Sequence, residues 1–226
     1  MKLLALDTTE SACSVAVMAG ETLLWRHEET PRRHSERILP MVASLLAEAG
    51  LTLTQLDGIA FSRGPGAFTG VRIATAVAQG LALGADLPLA PVSTLVALAE
   101  GARRECGAAH VLSALDARMG ELYWAAVTFD PHGRAGFMAP EQVAPPPRVR
   151  APQREDWVAL GSGWDAHAEA LLPRFRPVRL LRDRKIQARD VARQGGFVLE
   201  AGGGVAPAAA LPVYLRDEVA RKPSSP

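Results

Sequence analysis

Apolar side chains run almost unbroken from Leu3 to Leu6 and end in a carboxylate, Asp7. A run of this kind predicts a strand buried on both faces, residues 2–7. Residues 13–18 and 22–27 predict two more strands, with Ala19-Gly20-Glu21 as their hairpin turn. The period then changes. Ile38, Leu39, Met41, Val42, Leu45 and Leu46 recur at helical spacing, which predicts a helix from Ser35 to about Ala49, stopped by Gly50. Ser35 is the expected N-cap, with Glu36 in the first turn where the helix dipole favours an anion. The apolar positions cover more of this helix than one core face requires. Either it is deeply buried or a second face meets a partner.

The stretch Gly64-Pro65-Gly66-Ala67-Phe68-Thr69-Gly70 follows a short apolar strand, residues 58–62, and opens a second helix that reaches about Leu83. Pro65 fixes its own φ, and the flanking glycines open backbone shapes closed to other residues. Thr69 is the expected cap, and Gly70 the point of closest approach. Gly70, Ala74, Ala78 and Ala82 recur every fourth residue, so one ridge of the helix is nearly bare. Periodicity favours tight core packing there over a docking face for another helix. Residues 87–92 predict a further strand, and Ser93 caps a helix over 94–104. The first half therefore reads β-β-β-α-β-α-β-α, a mixed sheet with helices on it.

After Gly107 the theme restarts. Residues 110–115 form an expected strand ending in Asp116, and residues 121–129 a second, joined by Asp116-Ala117-Arg118-Met119-Gly120. This echo of the N-terminus predicts two similar lobes facing across a cleft, 1–105 and a smaller 106–207, with 208–226 returning to the first. Five prolines between Pro140 and Pro152 predict an extended loop. Helices are expected over 164–172 and 187–199, and a frayed end at Ser224-Ser225-Pro226.

Composition narrows the function classes. The 226 residues are 48% hydrophobic with formal net charge +1, enough for a sizeable core and no charge excess for a strong nucleic-acid binder acting alone. Two cysteines, Cys13 and Cys106, make neither a disulfide framework nor a Cys-rich zinc site. Asp7 interrupts any N-terminal signal-like run, and no apolar run approaches membrane-spanning length, so a cytoplasmic protein without a membrane partner is expected.

Candidate chemistry is sparse. Asp7 and Asp116, each at a strand end, can face one another across the cleft and hold a metal–nucleotide complex, or simply cap turns. Thr8-Thr9-Glu10 follows Asp7 where a phosphate loop wants glycine, and Glu10 sets a negative charge beside any phosphate. The glycine turn at 64–70 lacks the Gly-Lys-Ser/Thr of a Walker loop. Four residues after His34 stands Ile38, so no zinc pair forms there, and a surface or capping role for His34 is expected. Arg174, Arg176, Arg179, Arg182, Arg184 and Lys185 form a basic run, read as a solvated face rather than an RNA contact.

Taken together, Leu3-Leu4-Ala5-Leu6-Asp7-Thr8-Thr9 with Ser14-Val15-Ala16-Val17, His34-Ser35-Glu36 with Leu39-Pro40, the segment from Gly64 to Ile73, Asp116-Ala117-Arg118 with Glu121-Leu122-Tyr123, and Pro212-Val213-Tyr214-Leu215-Arg216 resemble the bacterial TsaB (YeaZ) family. The resemblance implies an α/β fold of the actin-like, RNase H-like class: two lobes of mixed sheets flanked by helices, the second reduced. It implies a non-catalytic subunit in making threonylcarbamoyladenosine beside the tRNA anticodon. Its partners would be TsaD, which transfers the threonylcarbamoyl group, and the ATPase TsaE, with tRNA met only within the complex. No catalytic residue, metal or cofactor of its own is implied, though a nucleotide at a subunit boundary is left open. Asp7, Thr8, Thr9, Gly64, Gly66, Asp116 and Arg118 are the candidates for a vestigial cleft. The expected partner face, shared with a homodimer, comprises Ile38, Leu39, Val42, Leu45, Leu46, Gly70, Ala74, Val77, Ala78 and Leu81. An ATP-dependent phosphotransferase and a metallopeptidase are the competing readings.

Overall fold

A computed structural model describes residues 1–30 and 32–216. Strands β1 (Lys2–Asp7), β2 (Ala12–Ala19) and β3 (Thr22–Glu29) form an antiparallel meander. Helix α1 (His34–Glu48) leads to β4 (Gly58–Ser62), which lies parallel to β1. Helix α2 (Phe68–Ala85), β5 (Leu89–Val92), parallel to β4, and α3 (Thr94–Cys106) complete the set. The sheet order is β3-β2-β1-β4-β5.

The second half repeats this plan with one element missing. Strands β6 (His110–Asp116) and β7 (Leu122–Phe129) are antiparallel, and β8 (Ala135–Phe137) and β9 (Gln142–Ala144) pair with the far edge of β7. No helix stands in the place of α1; the proline-rich segment runs straight to β10 (Val158–Leu160), parallel to β6. Helix α4 (Ser162–Phe175), β11 (Arg179–Leu181) and α5 (Ala188–Glu200) then follow. The sheet order β11-β10-β6-β7-β8 mirrors the first.

Alternation along the central strands explains the layering. On β1, Leu3 and Ala5 face an inner core between the sheets, while Leu4 and Leu6 face an outer core under α1 and α2. The inner core holds α3 and α5, which exchange lobes: α3 packs on β6, β7 and β10, and α5 on β1, β2, β4 and β5. Close approach makes this possible, since a side chain at Gly195 of α5 would collide with Ala60 of β4. The chain thus returns to the first sheet at Ala188, not at 208, because an amphipathic α5 has its apolar face satisfied there. Residues of the expected return beyond Arg216, including the Ser224-Ser225-Pro226 end, lie outside the described residues.

Two expected caps are corrected. Helix α1 takes Arg33 as its N-cap position and α2 takes Ala67, so Ser35 and Thr69 sit inside the first turns; neither helix has a side-chain cap. Ser93 does cap α3, accepting from the N–H groups of Leu95 and Val96. The length expectation is also corrected. Among the described residues one helix, α2, is long and apolar enough to cross a membrane by composition. Its bare ridge is core, since Gly70, Ala74, Ala78 and Ala82 are all buried.

Candidate functional site

The loop after β1 and the glycine turn before α2 are built against each other. Thr8 donates its hydroxyl to the Gly70 carbonyl at 2.6 Å, and the Ala67 N–H donates to the Thr9 carbonyl at 2.8 Å. A Cβ at Gly70 would strike the Thr8 carbonyl, and one at Gly66 would stand 2.7 Å from the Thr9 carbonyl. Gly64, at φ +105°, lies against the Val213 carbonyl. These glycines therefore serve close backbone approach. Asp7 is 1% exposed and accepts from the Thr9 hydroxyl at 2.7 Å. Burial pushes its carboxyl above the usual value, against the pull of hydrogen bonds from Thr9.

An open cleft of ≈ 710 Å³ lies between the lobes. Of the expected cleft residues, Thr9, Gly66, Asp116 and Arg118 line it; Asp7, Thr8 and Gly64 do not. Asp7 and Asp116 consequently do not face each other across open space, because the Thr9 turn covers the first carboxylate. Asp116 is half-buried and bound by Arg118 at 3.1 Å. The residues present do not fit a metal–nucleotide complex held by the Asp pair.

Glu10 spans the cleft instead. It accepts from the Ser162 hydroxyl at 3.0 Å, and Ser162 accepts from the Asp116 N–H at 3.2 Å. Burial pushes the Glu10 carboxyl up, opposed by Ser162 and the charge of Lys185. Elsewhere Arg63 pairs with Glu141 at 2.6 Å, and Ser93 also donates to Glu141, joining the lobes a second time. Val213 to Arg216 lines one side of the cleft. The Val213 N–H donates to the Arg63 carbonyl at 2.7 Å, and Tyr214 accepts from Arg72 at 2.9 Å and packs on Phe68. Arg216 reaches Glu121 of the second lobe at 2.5 Å.

His34 is not a surface residue: it is 9% exposed on the cleft wall, and its Nε2 has no hydrogen-bond partner. The basic run is the solvated face expected of it, its five arginines all exposed. Arg184 pairs with Glu105, Arg174 donates to the carbonyls of Pro146 and Val149, and Lys185 turns into the cleft. Ser162, Lys185, Phe68 and Arg216 were invisible as site residues in the sequence; only the duplication of the strand–helix unit pointed to position 162.

The expected partner face divides. Ile38, Val42, Leu45, Leu46, Gly70, Ala74 and Ala78 are buried in the outer core of the first lobe, so no partner reaches them in this conformation. The excess apolar circumference of α1 is spent on the sheet and on α2. Val77 and Leu81 are half-buried, and Leu39 stands 49% exposed. Leu83 of α2, absent from the expected face, is 76% exposed.

Comparison with known proteins fixes the lineage. The chain is 43% identical over 228 residues to the tRNA threonylcarbamoyladenosine biosynthesis protein TsaB of Escherichia coli strain K12, covering 98% of this chain and 97% of that one. The chain belongs to the TsaB family. A solved structure described as YeaZ from Pseudomonas aeruginosa superposes with TM-score 0.90 at 46% identity, covering 95% of this chain and 99% of that one. The family model described as TsaD, tRNA N6-adenosine threonylcarbamoyltransferase, matches residues 27–194. A dehydratase component from Acidaminococcus fermentans shares the fold alone, with TM-score 0.51 at 8% identity over 90% of this chain and 99% of that one. The fold is of the actin-like class, and the family takes part in tRNA threonylcarbamoyladenosine biosynthesis.

Proposed function

We propose that this chain is a non-catalytic subunit that scaffolds or activates TsaD in threonylcarbamoyladenosine synthesis, and that it meets TsaD through the outward sides of α1 and α2. The observation that carries this reading is the exposure of Leu39 and Leu83 on the two helices that cover the first lobe, beside the half-buried Val77 and Leu81, while Ile38, Val42, Leu45 and Ala78 are already buried. Exposed leucines on neighbouring helices are what an interface core needs. The match to the TsaD family model supports a partner of related fold, able to present a similar helix pair. A second copy of this chain competes for the same face, because an isologous patch needs no other protein. TsaE and tRNA join only through the assembled complex. The covered Asp7 carboxylate supports the non-catalytic half of the reading, since phosphoryl transfer depends on electrostatic stabilisation of the transferring group.

Leu39→Asp is the test. A desolvated carboxylate at an interface costs several kcal/mol or prevents assembly, whereas an exposed position tolerates it in the monomer, within about 0.5 kcal/mol. The variant is expected to melt like the parent, to elute apart from TsaD on size-exclusion chromatography, and to lose the modified nucleoside in cells. Normal co-elution of a folded Leu39→Asp, Leu83→Asp double variant would place the contact elsewhere.

A further inference from the structure

We propose that one ridge of α5, with the residues that pack on it from β3 and from the turn before β8, is a surface by which this chain touches tRNA. Arg189, Arg193 and Phe197 stand four residues apart on α5. They therefore share one face, at about 6 Å per step. Trp25 of β3 lies at the Arg189 end. The Arg189 guanidinium sits 4.2 Å from the Trp25 ring centre, and Trp25 is 39% exposed. Arg134 lies at the other end: it and Arg193 both reach the Phe197 ring, at 5.5 and 5.2 Å. Three cations and two aromatic rings thus share a single stripe.

Its charge balance sets this stripe apart. On the adjoining α3 both arginines are neutralised. Arg103 donates to both oxygens of Glu100 at 2.8 Å, and Arg104 to those of Asp190 at 2.8 and 3.1 Å. Arg134, Arg189 and Arg193 form no ion pair with a described residue. Nearby carboxylates are engaged elsewhere: Glu28 by Arg37, Glu29 by Ser11, and Asp130 by N–H groups of its own turn. Exposed Glu200, three residues past Phe197, marks the end of the stripe. Burial and the charge of Arg104 push the Arg189 guanidinium below its usual value, with Asp190 pulling the other way. A counter-anion would relieve that cost. A phosphodiester backbone supplies anions at regular intervals, and bases stack on aromatic faces beside arginine. The rings favour RNA over an acidic protein segment, which has no base to stack. The stripe also lies across the first sheet from α1 and α2, so tRNA and a partner on those helices can be held at once.

This inference rests on the reading of the chain as a subunit for tRNA modification, and not on the α1–α2 contact. Its test uses the whole chain without TsaD, so failure of that contact leaves the outcome intact. A fluorescein-labelled tRNA transcript is titrated with the protein by anisotropy at about 50 and about 150 mM salt. Within the complex the stripe is one contact among several, so binding by the free chain is expected to be weak. Its log affinity should fall with log salt at a slope of about −2 to −3, as three phosphate contacts require. Arg134→Gln, Arg189→Gln and Arg193→Gln together are expected to weaken binding at least about tenfold at the lower salt and to flatten the slope. Arg148→Gln, Arg176→Gln and Arg179→Gln together remove the same charge from exposed arginines of the second lobe, and are expected to bind like the parent. Trp25→Ala is expected to weaken binding about fivefold with the slope unchanged, as loss of a stacking face does. Arg134 and Arg193 are exposed, so their double variant keeps the test decisive if the half-buried Arg189→Gln fails to fold. No binding by the parent, equal weakening by the two triple variants, or an unchanged slope in the stripe variant would each overturn the assignment.

Discussion

The two lobes are built on one plan and finish their outer faces differently. In the second, Trp124, Trp157 and Trp164 are buried with Leu171 beneath α4, and Phe175 packs on Trp124 at 4.9 Å. The indole of Trp124 donates to the Arg150 carbonyl at 2.9 Å, and Arg174 holds the carbonyls of Pro146 and Val149. The proline-rich segment that replaces a helix thus seals its own lobe. The first lobe keeps α1 beside α2, fills the space below them mostly with aliphatic side chains around one aromatic, Phe61, and leaves Leu39 and Leu83 facing out. A duplicated unit has separated into a self-closed half and a half with an outward helix pair. Loss of one helix makes the difference, together with a second short strand, β9, on the far edge of β7.

The largest break in this comparison is Trp164→Ala. The side chain is fully buried and its indole donates to the Leu112 carbonyl at 2.9 Å. Truncation is expected to cost about 3–5 kcal/mol from the cavity, and to leave that carbonyl without its donor. Chemical denaturation should show the loss, with the first lobe's β1–β4 amides keeping their relative order of hydrogen-exchange protection. A loss below about 1 kcal/mol would mean the aromatic cluster does not hold the second lobe closed.

A pair of glycines sharpens the comparison at the helix starts. Gly70 of α2 and Gly163 of α4 hold related places, each pressed on the end of its lobe's first strand. A Cβ at Gly70 would lie 2.0 Å from the Thr8 carbonyl oxygen, whereas at Gly163 it meets the Leu122 side chain at 2.8 Å, Ala114 Cβ at 2.9 Å and the Ala114 carbonyl carbon at 3.0 Å. The deeper clash, and with backbone, is at Gly70. Gly70→Ala is therefore expected to lose about 3 kcal/mol and Gly163→Ala about 1–2. Thermal melts of the two variants side by side decide it, and the reverse order would show that the Thr8–Thr9 turn moves freely.

Much of this was legible in the chain. The strand Lys2–Asp7, the strand Gly58–Ser62, the Ser93 cap and the echo after Gly107 all rest on local pattern, which period and turn chemistry carry directly. The bare ridge of α2 pointed to close packing, and Gly70 to its tightest point. What local pattern does not carry is which of two apolar sides a helix turns inward. The α1 pattern leaves deep burial and a partner face both open, and Ile38 and Leu45 are fully buried because the sheet and α2 meet the same helix on different sides. The exchange of α3 and α5 between lobes was equally hidden, since it depends on Gly195 meeting Ala60, a contact between residues far apart in sequence. The cleft was half legible. Its strand-end carboxylates were found, but their unlike burial, and the roles of Glu10, Ser162 and Lys185, are tertiary facts.

That unlike burial yields the smallest effect and the finest test of how the lobes diverged. Asp116 stays in the cleft beside Arg118, while Asp7 is covered by Thr9 and its carboxyl is pushed up by burial. An unfolded aspartate ionises near pH 4. Folded Asp7 holds its proton to higher pH, so between those two values the native state binds more protons than the unfolded one. Stability contributed by the protonated carboxyl is then full below the unfolded value and declines as pH rises through the folded one. Asp7→Asn keeps an oxygen for the Thr9 hydroxyl and removes the titration. Any misfit of the new amide shifts the whole curve by a constant, whereas loss of the titration changes its slope. Glu10 and Asp190 are also pushed up by burial and keep their own share of the slope, so the difference between variant and parent is the quantity to follow. Denaturation midpoints across pH 4 to about 8 should show the variant gaining on the parent as pH rises, then running level once Asp7 has ionised. Two curves parallel throughout would mean that Asp7 ionises as freely as Asp in the unfolded chain, and that the Thr9 turn opens to water.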